Sequence, residues 1–240
     1  MNIKTTLCAA AFCLSSASAF AVPNLGDILG DSSYSGYTDT GYESAVLTDD
    51  SNTNDDITAF LFLEFAGFKD NNNFGIYDFS YDGSGNLVVG DMLELFAGSQ
   101  SPSTGFGTTD TSVHFDLLAG TATNASAGDV RNIGRNFGFY LNNTVDNDGF
   151  TWYSHSANNS DGFDHMLMFD TADNAVSGLS GSDVVLAFED LCETDCGNDS
   201  DFNDMVIGIS DVMPVPEPGT LALLGLGLAG LGAARRRQKS

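Results

Sequence analysis

The feature that most constrains this chain is a train of ten short apolar or alternating runs: Ala59 to Phe65, Gly75 to Phe79, Leu87 to Val89, Met92 to Phe96, Val113 to Leu118, Phe137 to Leu141, Phe150 to Tyr153, His165 to Phe169, Val184 to Phe188 and Met205 to Ile209. Gly, Asn, Asp and Ser separate them. Runs this short are strand-sized, and no stretch between residues 22 and 212 holds a 3.6-residue apolar period over about a dozen residues. The pattern predicts an all-β ectodomain over residues 59–212, an antiparallel β-sandwich of jelly-roll type, with little helix. Residues 22–58 carry Gly26, Gly30, Gly36, Gly41 and a polar cluster from Asp49 to Asp56. They are expected to form a polar approach that pairs as edge strands or stays loose, and residues 98–110 a second loop. No internal repeat is evident.

Charge narrows the ligands. The chain has 33 acidic against 8 basic side chains, for a formal net charge of -25. Lys4, Arg235, Arg236, Arg237 and Lys239 sit at the two ends, so the stretch from residue 22 to 218 holds all the acids and only Lys69, Arg131 and Arg135 as bases. Nucleic acid is excluded as a partner, because phosphate contacts need a basic face. Such self-repulsion favours cations as ligands. The 18 phenylalanines provide ample apolar material for a core.

The two ends read as addresses. Residues 1–21 have a basic Lys4, an apolar stretch from Leu7 to Leu14, and small residues at Ala17, Ala19 and Ala21, the pattern of a secretory signal cleaved after Ala19 or Ala21. Cys8 and Cys13 would leave with it, so Cys192 and Cys196 are the mature thiols. In an oxidising exterior these two are expected to close a small disulfide, since no nearby His completes a zinc set. Residues 213–240 begin with Pro214, Pro216 and Pro218, which predict an extended stalk from Met213 to Pro218. An uncharged segment follows over residues 219–234, about 24 Å as a helix against a bilayer core of about 30 Å. The basic tail at 235–239 would hold the C-terminus in the cytoplasm and the ectodomain outside.

This tail, with Pro216-Glu217-Pro218, a short Gly/Leu membrane helix and Arg235-Arg236-Arg237, resembles the PEP-CTERM sorting signal of Gram-negative bacteria. The resemblance implies export through the inner membrane, recognition by an exosortase acting near the motif, and residence at the cell surface or in an exopolysaccharide matrix. Whether the tail is cleaved or serves as an anchor stays open at this level.

The strongest internal constellation is Glu189-Asp190, then Asp195, then Asp199, Asp201, Asn203 and Asp204, running into the strand-like Met205-Val206-Ile207. Calcium takes six to eight oxygens, and an Asp-x-Asp-x-Asn alternation supplies them while the backbone wraps the ion. Asp199, Asp201 and Asn203 occupy that alternation, with Glu189, Asp190 and Asp204 as the further candidate ligands. It is not an EF-hand, because Asp204 stands where the loop glycine belongs and Ser210 where the bidentate Glu belongs. The same acids would also serve as turn caps on a solvated loop.

Phe188-Glu189-Asp190-Leu191 followed by Asp201-Phe202-Asn203-Asp204 is similar to the family called domain of unknown function 4114. Phe74-Gly75-Ile76-Tyr77-Asp78, Phe137-Gly138-Phe139-Tyr140-Leu141 and Tyr153-Ser154 with His165 agree with it, so the resemblance runs from about Phe60 to Ser210. It implies a β-rich extracellular module that binds structural calcium and has no established catalytic activity. The segment from Cys192 to Asn198 departs from the family pattern by lengthening the acidic turn.

No catalytic motif stands out. His114 and His165 lie in apolar runs, as core or strand-end imidazoles do. Ser154 and His155 are sequence neighbours, which on a strand point to opposite faces and make no nucleophile-base pair. The chain is expected not to be an enzyme. An alternative role is a carbohydrate-binding or adhesive module in which Trp152 and Tyr153, with Tyr34, Tyr37 and Tyr42, stack on sugar rings of the exopolysaccharide.

Overall fold

In a computed structural model, the residues described are 23–48, 53–63, 69–100, 109–144, 149–171, 176, 178–179, 181–192 and 199–216. The signal at 1–21, Cys196, Glu217, Pro218, the segment at 219–234 and Arg235 to Arg237 lie outside them. Among the described residues no helix is long and apolar enough to cross a membrane.

Among the described residues the elements are a single turn-and-a-half α-helix, α1 (Leu25–Leu29), short 3-10 turns and thirteen strands. These are β1 (Ser44–Leu47), β2 (Asn54–Leu63), β3 (Asn72–Tyr81), β4 (Leu87–Phe96), β5 (Thr109–Asp116), β6 (Thr121–Asn124), β7 (Val130–Arg131), β8 (Asn136–Asn143), β9 (Thr151–Tyr153), β10 (Met166–Asp170), β11 (Val184–Phe188), β12 (Met205–Ile209) and β13 (Val212–Val215). They form two antiparallel sheets, one in the order β13-β1-β8-β3-β4 with β9 on β8, the other β10-β11-β12-β2-β5-β6-β7. The all-β sandwich expected from the run pattern is the fold.

The main core lies between the sheets. Phe74, Ile76, Phe137, Phe139 and Leu141 face Ile57, Leu61, Phe115, Leu186, Phe188 and Ile207 across it. Strand β5 alternates buried and more exposed positions, as a strand with one covered face must. Strands β11 and β12 are buried at every position, and their reading as continuous apolar runs has a structural cause. Their second face is covered by a smaller cluster in which Leu25 of α1, Val176, Leu179 and Phe202 pack on Leu167, Phe169, Val185, Ala187 and Val206.

Four sequence expectations are corrected here. The described residues between 23 and 58 are not a loose polar approach: α1 seals the outer face of the second sheet, and β1 pairs on both sides, with β8 and β13, so it is an interior strand. The boundary at residue 59 also falls within β2, which starts at Asn54. The stalk from Met213 to Pro218 is shortened, because Val212–Val215 is the edge strand β13 in register with Ser44–Leu47. Pro214 is accommodated because β13 is an edge strand, where a missing N–H does no harm. The runs Leu87 to Val89 and Met92 to Phe96 are one strand, β4.

Candidate metal centre

The acidic residues meet where β11 ends and β12 begins. Phe188 and Met205 are a register pair, so Glu189 and Asp190 leave one strand beside the point where Asp204 enters the next. The Asp190 amide donates to Asp204 Oδ2 at 2.8 Å, which ties the two strand ends together. Above them Ser200 and Phe202 adopt left-handed backbone, φ 56° and 53°. Phe202 nevertheless buries its ring in the outer cluster. Asp201 between them accepts from the Asn203 amide at 3.2 Å and side chain at 2.6 Å.

The other sheet supplies the wall. Asn72 and Asn143, paired across β3 and β8, form a chain in which Asn143 Nδ2 donates to Asn72 Oδ1 at 3.1 Å and Asn72 Nδ2 to Asp190 Oδ2 at 2.7 Å. Trp152 on β9 donates its indole N–H to the Asp190 carbonyl at 2.8 Å. His165, just before β10, stacks on Trp152 with ring centroids 3.8 Å apart and planes 8° from parallel. Its Nδ1 donates to the Glu189 carbonyl at 2.9 Å, while its Nε2 faces Asp161 at 3.1 Å. Donors from β3, from β9 and from the residue just before β10 thus hold the Asp190 side chain and the Glu189 and Asp190 carbonyls.

Those carboxylates are desolvated. Glu189 is 0% and Asp190 2% exposed. Burial pushes Glu189 up to about 7 and Asp204 up to about 8, and it raises Asp190 as well; repulsion from Asp190 adds to the effect on Glu189 and Asp204, and repulsion from Asp199 to that on Glu189 and Asp190. Carboxylate oxygens of Glu189, Asp190 and Asp204 lie within 4.8 Å of one another, and so do those of Glu189, Asp199 and Asp201. Glu189 Oε2 is buried and has no hydrogen-bond partner. An anionic oxygen held that way is costly unless a cation completes it. The donor set is all oxygen, which suits a hard divalent ion such as calcium.

The expected ligands Glu189, Asp190, Asp199, Asp201 and Asp204 are therefore brought together, and Asn203 is placed to orient Asp201. Asn72, Asn143, Trp152 and His165 were not anticipated at this site. Cys192 is disulfide-bonded, while Cys196, its expected partner, lies outside the described residues.

The aromatic reading of Trp152 is corrected: the ring is 1% exposed and stacks on Phe150 as well as His165, so no face is open to a sugar. Tyr153 is half-buried and packs edge-on against Tyr77 at 5.3 Å. Tyr34 and Tyr37 pack on the outer cluster and Tyr42 on the main core. Ser154 and His155 depart from strand alternation, because β9 ends at Tyr153 and a 3-10 turn starts at Ser156. Both side chains contact the Tyr77 hydroxyl, Ser154 Oγ at 3.3 Å and His155 through Nδ1. Burial lowers His155 to about 4. His165 is the strand-end imidazole expected, whereas His114 points outward from β5.

Residues 117–211 match the family model described as Domain of unknown function (DUF4114), which covers both strands of the acidic site. Residues 214–237 match the PEP-CTERM protein-sorting motif, which starts within β13. No curated protein and no solved structure matches the chain. A motif of this kind implies processing by an exosortase and anchoring at the membrane. The chain thus carries a PEP-CTERM sorting motif at residues 214–237, which indicates export and sorting to the cell surface, and over residues 117–211 its ectodomain is similar to the DUF4114 family.

Proposed function

We propose that the ectodomain is a non-catalytic structural module of the cell surface or its exopolysaccharide matrix, stabilised by calcium bound at the loop from Glu189 to Asp204. The observation that carries this reading is the buried, unpartnered Glu189 Oε2 facing further carboxylates. The ion would neutralise part of a strongly negative ectodomain and pin the ends of β11 and β12. With a dissociation constant of about 10⁻⁴ M, typical of extracellular modules, calcium at about 1 mM adds about 1.4 kcal/mol to folding stability.

Thermal unfolding of the full-length chain in detergent, in millimolar calcium and in excess chelator, tests this. A higher Tm with calcium that disappears in Asp204→Ala is the expected result, and identical melting in both buffers refutes the site. Sorting is tested separately. Deleting Arg235 to Arg237 should leave the protein undisplayed, and normal surface display without them would count against exosortase handling.

A further inference from the structure

We propose that the loop holds two calcium ions bridged by Glu189: an inner ion on Glu189, Asp190 and Asp204, and an outer ion on Glu189, Asp199 and Asp201. The inference rests on the calcium reading above and deepens it. Among the described residues the five carboxylates fall into two trios, each with its oxygens within 4.8 Å, and the trios share Glu189 alone. Calcium–oxygen distances of about 2.3–2.6 Å place two ligands of one ion at most about 5 Å apart, so each trio is the size of one coordination sphere.

Glu189 is built to bridge. It is fully buried, its Oε1 accepts the Leu191 amide at 3.3 Å, and its Oε2 has no hydrogen-bond partner. One divalent ion would leave three of the five negative charges uncompensated at a site where Glu189 and Asp190 are withdrawn from water. Two leave one. The trios also differ in setting. Glu189 and Asp190 are buried and Asp204 half-buried, whereas Asp199 is exposed and Asp201 half-buried. The inner ion is therefore dehydrated and linked to both sheets through Asp190 and its bond from Asn72. The outer ion keeps water ligands and exchanges first.

The test is equilibrium dialysis of the full-length chain in detergent against calcium at physiological ionic strength, with bound metal counted per chain. The unaltered protein should bind two more ions than Glu189→Gln and one more than Asp201→Asn. A difference of one from Glu189→Gln overturns the second ion and leaves the calcium reading standing; no difference overturns both. Terbium in place of calcium provides a second measurement that does not depend on Glu189→Gln folding. Trp152 is the chain's single tryptophan, and its indole binds the Asp190 carbonyl, so it sensitises an inner ion. Emission should persist in Asp201→Asn and vanish in Asp204→Asn. Loss in both variants would mean one shared ion and overturn the proposal.

Discussion

Asp164 shows how one carboxyl sets a pH dependence outside the candidate metal centre. It is half-buried, its Oδ1 accepts the Met166 amide at 3.2 Å, and burial, with Asp39 and Glu43 nearby, pushes it up to about 7. A carboxyl whose folded pKa lies above its unfolded value of about 3.9 stabilises the fold while protonated, fully below about pH 4, and loses that contribution as pH rises through 7. Asparagine mimics the protonated acid and can still accept from Met166. Asp164→Asn should therefore raise Tm by a few degrees at pH 8 and change it little at pH 4; a loss at both pH values would show that the carboxyl is needed in its charged form. Trp152 carries a different kind of dependence. Trp152→Phe keeps a ring against His165 but removes the donor to the buried Asp190 carbonyl. The expected cost is about 1–3 kcal/mol, read as a lower denaturation midpoint at unchanged slope.

Among the elements, β3 and β8 are joined by a device that appears in the sequence only as the repeated pattern Phe-Gly-x-Tyr, at Phe74 to Tyr77 and Phe137 to Tyr140. In the antiparallel register Gly75 opposes Tyr140 and Tyr77 opposes Gly138. Each ring lies over the facing glycine: a Cβ on Gly138 would stand 2.4 Å from the Tyr77 ring, and one on Gly75 2.6 Å from that of Tyr140. Gly138→Ala should cost about 1–3 kcal/mol or more by overpacking, whereas Gly36→Ala, with open space around it, should stay within about 0.5 kcal/mol. Equal effects of the two substitutions would remove this account of the sheet. The Phe-Gly-x-Tyr pattern was visible, but its meaning required a register that no local pattern contains. Strands β10 to β12 were legible because covering both faces makes their sequences continuously apolar. Helix α1 was not, although Asn24 and Asp27 form a capping box and Gly30 a left-handed C-cap, because five residues are too few to show a helical period. The acidic half of the candidate metal centre was legible as a run of carboxylates at ligand spacing. Its wall was not, since Asn72, Trp152 and His165 come from three other stretches of chain and meet only when the two sheets pack.

At the scale of the whole molecule the question is what compensates an ectodomain with so few cations. On the calcium reading proposed above, protons and calcium compete for the same oxygens. Without metal, Glu189 and Asp204 are held at about 7 and about 8 by burial and mutual repulsion, so their stabilising contribution is fully present below about pH 4 and is lost as pH rises from there through 7 and 8. The metal-free protein should thus melt at a lower temperature at pH 8 than at pH 6. Calcium needs the carboxylates deprotonated, so it binds more weakly at pH 6, where protons must be displaced, than at pH 8. Its stabilising effect, the Tm in millimolar calcium minus that in chelator, should be larger at pH 8. Asp164 titrates in both buffers alike and cancels in that difference. Four melts of the full-length chain, at two pH values with and without calcium, decide the matter, and titration calorimetry near pH 7 in buffers of different ionisation enthalpy should register protons released on binding. An increment equal at both pH values, with no proton release, would place calcium away from Glu189 and Asp204 and return this loop to the role of a protonated, hydrogen-bonded turn.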